Sequence, residues 1–403
     1  MKTQDYIDRE DKFGAHNYHP LPVVLEKGKG AYVWDVEGKR YFDFLSAYSA
    51  VNQGHCHPFI VKALKEQAET LTLTSRAFYN SALGEFEEYI TRYFGYDKVL
   101  PMNTGAEADE TAIKLCRKWA YKVKGIPDNQ AKIIVCEGNF HGRTISIISM
   151  STDPVARNEY GPYTPGFVII PYNNLEALEK ELKDPYIAGF LVEPVQGEAG
   201  VNVPDEGYLE KAYDLCKRNN VLFMADEVQT GIARTGKLLA CDHENVRPDI
   251  LILGKALSGG VLPVSTVLAD DRIMLTIQPG EHGSTFGGNP VAAKVAIAAL
   301  EVIRKEKLAD NAEKLGQIFR TEFRNIESDL IEIVRGKGLL NAVVIKPTNG
   351  KTAWDVCVAM KENGLIAKPT HDDIIRFAPP LIITEQELRE ALNIIKKTFS
   401  QFE

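Results

Sequence analysis

Between about residue 98 and residue 270 the chain alternates short, continuous apolar runs with stretches of helical period. The runs are Lys132-Ile-Ile-Val-Cys136, Phe167-Val-Ile-Ile170, Ile187-Ala-Gly-Phe-Leu-Val192, Val221-Leu-Phe-Met-Ala225, Ile250-Leu-Ile-Leu253 and Val264 to Ala269. Runs that are apolar at nearly every position predict strands buried on both faces, as in a parallel sheet. Leu175 to Leu182 and Tyr208 to Arg218 carry the helical spacing between them. The pattern therefore predicts βα units and a large three-layer domain with a mainly parallel sheet. Ser265 to Ala269 also fits as an antiparallel addition to that sheet.

Residues 1 to about 40 read as an irregular arm rich in Gly, Pro and Tyr, ending in a hairpin around Glu37-Gly38 within Ala31 to Asp43. From Pro290 onward a long helical pattern (Ala292, Ala293, Val295, Ala296, Ala298, Leu300, Val302, Ile303) leads to the C-terminal part. There, strands are predicted at Ile331 to Val334 and Ala342 to Ile345, and helices at Ala353 to Glu362 and Glu385 to Thr398. The predicted fold class is α/β. An N-terminal arm and strands (1–45) join the small domain, 46–290 form the large domain, and 291–403 supply a linking helix and the rest of a smaller α+β domain.

A length of 403 residues agrees with two domains rather than one core. The net charge of −8 argues against a nucleic-acid partner, which favours a basic face. No run approaches the length of apolar chain that a membrane span needs, so none is expected. Met1 to Asp11 is acidic and lacks an apolar segment, which predicts neither a secretory signal nor a transit peptide. Cys56, Cys116, Cys136, Cys216, Cys241 and Cys357 are scattered without a CxxC pair, so a reducing cytoplasm is the compartment expected.

Two of the apolar runs end in charge: Lys255 follows Ile250 to Leu253 and Gly254, and Asp226 follows Val221 to Ala225. Open α/β sheets bind ligands at the carboxyl ends of their strands. A lysine amine that is partly buried condenses with an aldehyde, and a carboxylate holds a pyridinium nitrogen protonated. Together they suit pyridoxal 5'-phosphate. Asn103-Thr-Gly105-Ala106-Glu-Ala108 stands between an apolar run and a helical pattern, an arrangement that holds a phosphate through bare amides and a helix N-terminus. Phe140 and Arg143, just past another run, offer a ring to stack on a planar cofactor and a fork for a carboxylate. Gly231 to Lys237 matches GxxxxGK, but Leu238 stands where a P-loop needs Ser or Thr. His55-Cys56-His57 has no companion ligand pair, so no metal site is predicted.

With these residues assembled, the chain resembles the PLP-dependent, fold-type I, class III aminotransferases, and among them the ornithine aminotransferases. The resemblance runs over essentially the whole length. It is carried by Phe13 to Tyr18, Phe44 to Pro58, Asn103 to Ala108, Glu193 to Gly200, Ala225 to Gly231, Leu253 to Gly259 and Gly283 to Pro290. Ala233, where glycine is usual, and Leu262, where an aromatic is common, depart from the pattern away from the chemistry.

The resemblance implies that Lys255 forms a Schiff base with the cofactor and moves the proton. It implies that Asp226 pairs with the ring nitrogen, Gln229 with the ring hydroxyl, and that Phe140 stacks on the ring. Gly105 and Ala106 would hold the phosphate, with Ser284 and Thr285 reaching it from the other subunit of a homodimer with shared sites. Tyr18 and Tyr48 would line the ornithine end, and Arg143 would take the distal carboxylate of 2-oxoglutarate. Arg376 would bind the glutamate α-carboxylate, with Glu198 masking it while ornithine reacts. The implied reaction is ping-pong transfer of the ornithine δ-amine to 2-oxoglutarate. Acetylornithine and 4-aminobutyrate aminotransferases share the cofactor motifs and are the alternatives within the class; a non-catalytic dimer on the same fold is the alternative outside it.

Overall fold

The computed structural model describes residues 2–346 and 350–402. Its first strands are β1 (Leu25–Lys29), β2 (Tyr32–Asp35) and β3 (Arg40–Asp43). The hairpin expected around Glu37-Gly38 is present: β2 and β3 pair antiparallel, with Val33 opposite Tyr41. The arm before them differs from expectation. Thr3–Phe13 is an α-helix, not irregular chain, with Asp5 in its first turn and Lys12 in its last. These charges oppose the ends of the helix dipole, and no residue of the helix is buried. The Gly- and Pro-rich stretch that follows dominates the composition of the arm and hides a helix with no buried face.

The large sheet comprises β4 (Lys98–Met102), β5 (Lys132–Cys136), β6 (Phe167–Ile170), β7 (Ile187–Val192), β8 (Leu222–Asp226), β9 (Ile250–Leu253) and β10 (Ser265–Ala269). The order across it is β4-β10-β9-β8-β7-β5-β6. From β9 to β6 every pairing is parallel. β10 runs antiparallel to both its neighbours, which settles how Ser265 to Ala269 enters the sheet. All six residues of β7 and all five of β8 are buried, as strands covered by helices on both faces must be. The helix Pro290–Lys305 is apolar almost all round, buries eleven residues, and packs against Pro58–Ala68 and Ser81–Phe94.

The C-terminal strands are β11 (Ile331–Lys337), β12 (Leu340–Ile345), β13 (Leu365–Ile366), β14 (Lys368–Thr370) and β15 (Ile374–Phe377). Four form an antiparallel sheet in the order β11-β12-β15-β14. β13 instead pairs parallel with β3, so both ends of the chain contribute to one small sheet. Arg234 lies inside the GxxxxGK-like segment and is fully buried. Its Nε and Nη2 donate to Asn52 Oδ1, and its Nη1 donates to the carbonyls of Leu339 and Pro379. The segment that mimics a P-loop is thus a pin between Asn52 and the C-terminal strands. Among the described residues no helix is long and apolar enough to cross a membrane.

Candidate active site

The parallel strands end at one edge of the large sheet, and that edge collects the ionisable residues. One cavity there is lined by Gly105, Ala106, Phe140, Asp226, Gln229 and Lys255, all six expected at a cofactor site, and also by Asp109, His141, Gly142, Glu193 and Val228. Gly105 begins the helix Gly105–Trp119, directly after β4. Thr104 caps it: its hydroxyl accepts the Glu107 amide at 3.2 Å, and the Glu107 carboxylate accepts the amides of Asn103 and Thr104 at 3.0 and 2.9 Å. The amides of Gly105 and Ala106, in the first turn, have no partner within the helix. A Cβ on Gly142 (φ +127°) would lie 2.6 Å from Ala106 Cβ, and one on Gly105 would lie 3.0 Å from Val228 Cγ1. Small residues thus leave the backbone bare where an anion would sit at the helix N-terminus.

Asp226, at the end of β8, is buried and firmly held. Its Oδ1 accepts the Val228 amide at 3.0 Å and its Oδ2 accepts His141 Nδ1 at 2.7 Å. Burial alone would lower the His141 pKa; the hydrogen bond and charge of Asp226 outweigh it and raise it. Burial, then the Asp226 charge, push Asp109 well above the carboxylate range. Glu193, at the end of β7, is pushed up to about 7, chiefly by burial, and accepts the Phe140 amide at 2.8 Å. Lys255 takes a left-handed backbone (φ +42°), a strained geometry for a side-chain-bearing residue. Burial draws its pKa down, against the charges of Glu198 and Asp226. A lysine so placed is available as a nucleophile and base.

A second cluster borders the first. Glu198 Oε1 accepts Arg376 Nη1 at 2.7 Å and Gln229 Nε2 at 3.0 Å. Burial works against the Glu198 charge, but the cations Arg376 and Lys255 hold its carboxyl below the usual range. The Arg376 guanidinium lies 4.9 Å from the centre of the Tyr48 ring. Tyr48 itself stands in a left-handed turn: Ser46, Ala47, Tyr48 and Ser49 have φ of 49, 46, 59 and 72°. Asp43 steadies its entry, its Oδ1 accepting the amides of Leu45 and Ser46, both at 2.9 Å.

The remaining expected residues lie further out. Arg143 sits 5.8 Å from the Phe140 ring centre. Tyr18 is largely exposed, with Lys368 Nζ 6.0 Å above its ring. Ser284 Oγ accepts Asn103 Nδ2 of its own chain at 2.9 Å, and Thr285 is exposed; neither lines the cavity. Asp109, His141, Glu193 and Lys368 carry no role in the sequence reading. Faint signals existed: His141 neighbours Phe140, Glu193 ends an apolar run, and Asp109 lies one helical turn past Gly105.

Sheet topology and site define a class: the chain belongs to the class-III aminotransferases, whose profile matches residues 13–399. Members of this class depend on PLP. The residues present fit that group: a bare helix N-terminus for a phosphate, Asp226 for a ring nitrogen, Phe140 for a ring face and Lys255 for an aldehyde. Asp109 Oδ1, His141 Nε2 and Arg376 Nε, buried without a hydrogen-bond partner among the described residues, mark the same region as built for a polar occupant.

Within the class, the chain is 64% identical over 401 residues to the mitochondrial ornithine aminotransferase of Rattus norvegicus, spanning 99% of this chain and 91% of the rat protein. The crystal structure of the ornithine aminotransferase from Toxoplasma gondii superposes with a TM-score of 0.98 at 50% identity, covering 100% of this chain and 96% of that one. That of the acetylornithine aminotransferase from Elizabethkingia anophelis superposes with a TM-score of 0.92 at 61% identity, covering 100% of both chains.

Proposed function

We propose that this chain is an ornithine δ-aminotransferase, converting L-ornithine and 2-oxoglutarate to L-glutamate 5-semialdehyde and L-glutamate. The observation that carries the reading is the Glu198–Arg376 pair at 2.7 Å. Ornithine must present its δ-amine, whereas glutamate must present the carbon bearing its α-carboxylate. An arginine covered by a carboxylate serves the first substrate, and uncovered it serves the second. A charge-assisted hydrogen bond contributes only about 1.5–3 kcal/mol, so an incoming carboxylate can displace it.

PLP, when bound, supplies the electron sink for cleaving the C–H bond beside the amine. The chain supplies the rest. Lys255 Nζ would hold the aldehyde, and its amine would take and return the proton at the amine-bearing carbon. Asp226, backed by His141, would balance positive charge at the ring nitrogen, and Gln229 would hydrogen-bond the ring hydroxyl. Phe140 would cover one ring face, and Gly105 and Ala106 would bind phosphate through their amides. Tyr18 and Tyr48 line the ornithine end, and Arg143 takes the distal carboxylate of 2-oxoglutarate. Ser284 and Thr285 reach the cofactor of the partner subunit in a homodimer with two shared sites. Phe78, Tyr79 and Phe286, exposed by 72, 105 and 58%, support that dimer as large apolar side chains that a partner subunit would cover. All six cysteines are free, which is consistent with the reducing cytoplasm.

The likeness to an acetylornithine aminotransferase favours one second reading, in which the amine donor carries an acetylated α-amine. A titration of the purified, PLP-loaded protein separates them. Ornithine is expected to bleach the visible cofactor band at far lower concentration than N-acetylornithine or 4-aminobutyrate; bleaching by N-acetylornithine with none by ornithine would overturn the assignment.

A further inference from the structure

If Arg376 serves two substrates, Glu198 must leave it and stand somewhere else in the glutamate half-reaction. A carboxylate in this half-buried place needs a second cation, since an unpaired buried charge is strongly disfavoured. Lys255 is near, but its amine is assigned to the cofactor and to proton transfer, and Arg143 is assigned to the distal carboxylate of the oxo acid. Lys368 is uncommitted: among the described residues no hydrogen bond or ion pair engages its amine.

Its position is set by the C-terminal sheet. Lys368 is the register partner of Arg376 across β14 and β15. Cross-strand partners put their side chains on the same face. Thr370, two residues along β14 and therefore also on that face, donates its hydroxyl to the Glu198 carbonyl at 2.9 Å. The strand that carries Lys368 thus holds the Glu198 backbone directly. The flanking loop is pressed close: a Cβ on Gly200 (φ +98°) would lie 2.5 Å from Ile374 Cδ1 of β15. Burial, then the Arg376 charge, lower the Lys368 pKa, while the Glu198 charge raises it, so Lys368 lies within the electrostatic reach of both members of the pair.

We propose that Lys368 is the alternate counter-ion of Glu198, receiving its carboxylate when a substrate α-carboxylate takes Arg376. Lys368 is then a positioning residue, acting on substrate choice through Glu198. The inference rests on the assignment of Arg376 to the α-carboxylate made above.

The test uses the PLP-loaded full chain and follows loss of the visible band in each half-reaction separately, with L-glutamate or L-ornithine. Lys368→Met is expected to raise the apparent dissociation constant for glutamate about tenfold more than that for ornithine. Lys368→Arg should restore most of the loss. In a Glu198→Ala background, where no carboxylate has to move, Lys368→Met should change glutamate binding by less than about twofold. Equal weakening for both donors, an unchanged glutamate constant, or the same loss in the Glu198→Ala background would overturn the proposal. Lys368→Gln replaces the Met variant if that fails to fold, with the same outcomes. Wild-type protein that ornithine does not bleach would instead sink the functional reading, so the two failures are distinct.

Discussion

Replacing Glu198 by alanine removes the anion that covers Arg376. The pair is close, 2.7 Å, and sheltered, with side-chain exposures of 5% for Arg376 and 23% for Glu198, so water screens it only in part. A charge-assisted hydrogen bond of this kind contributes about 1.5–3 kcal/mol. At about 1.4 kcal/mol per decade, that corresponds to a factor of roughly 12 to 150 in the fraction of Arg376 left free. The apparent affinity of a ligand scales with the fraction of protein competent to bind it. Glu198→Ala is therefore expected to tighten glutamate binding by about 10- to 100-fold, the upper end being reduced because Gln229 Nε2 loses its acceptor as well. Ornithine, which gains nothing from a free Arg376 while its δ-amine reacts, should tighten far less than glutamate, and only through binding by its α-amine. It should even begin to react through its α-amine, since the exposed arginine now welcomes its carboxylate. The assay is a static titration of the cofactor band with each amino acid, with product analysis separating α- from δ-transfer. A variant that melts like wild type yet binds glutamate no better would refute the masking argument. So would equal tightening for both donors.

Two further predictions concern the frame around the site. Burial holds Glu227 up to about 7 against an ordinary 4.5, so the folded chain binds more protons than the unfolded one between these values. Its contribution therefore falls as pH rises through that window, and Glu227→Gln should gain up to about 3 kcal/mol on wild type at pH 8 but little near pH 4.5; urea unfolding of the apoprotein that shows parallel pH curves would contradict this. Arg234→Met strands the buried acceptors on Asn52, Leu339 and Pro379 and should destabilise the fold by about 2–5 kcal/mol, read as a lower urea midpoint; an unchanged midpoint would show that the pin is dispensable.

Much of the frame is legible in the sequence because parallel strands are buried on both faces and so write continuous apolar runs. The helices Ala353–Glu362 and Glu385–Phe399 are equally plain, since each begins with a Thr capping box that local chemistry announces. The turn at Ser46–Ser49 is not legible. Four successive residues with positive φ suggest glycine, and none is present. Each costs on the order of 1–2 kcal/mol in that geometry, and only surrounding contacts such as those from Asp43 can impose it. The cofactor residues stood out because each ends an element of recognisable period. Asp109, Glu193 and Lys368 did not, for a different reason. Each lies within or beside a regular element where a charge usually faces water, and only the pairing of distant strands turns it inward.

Arg234 has a consequence in time. Its guanidinium has no carboxylate in hydrogen-bonding contact among the described residues, only oxygens from Asn52, Leu339 and Pro379. Two of those oxygens belong to chain made more than a hundred residues later. Throughout synthesis of the large domain the guanidinium must therefore stay hydrated, and it can lose its water only after Pro379 has emerged. Pro379 lies three residues past Arg376. Arg376 is made before Pro379, so by the time the chain can complete the pin around Arg234 it already carries the arginine that meets Glu198.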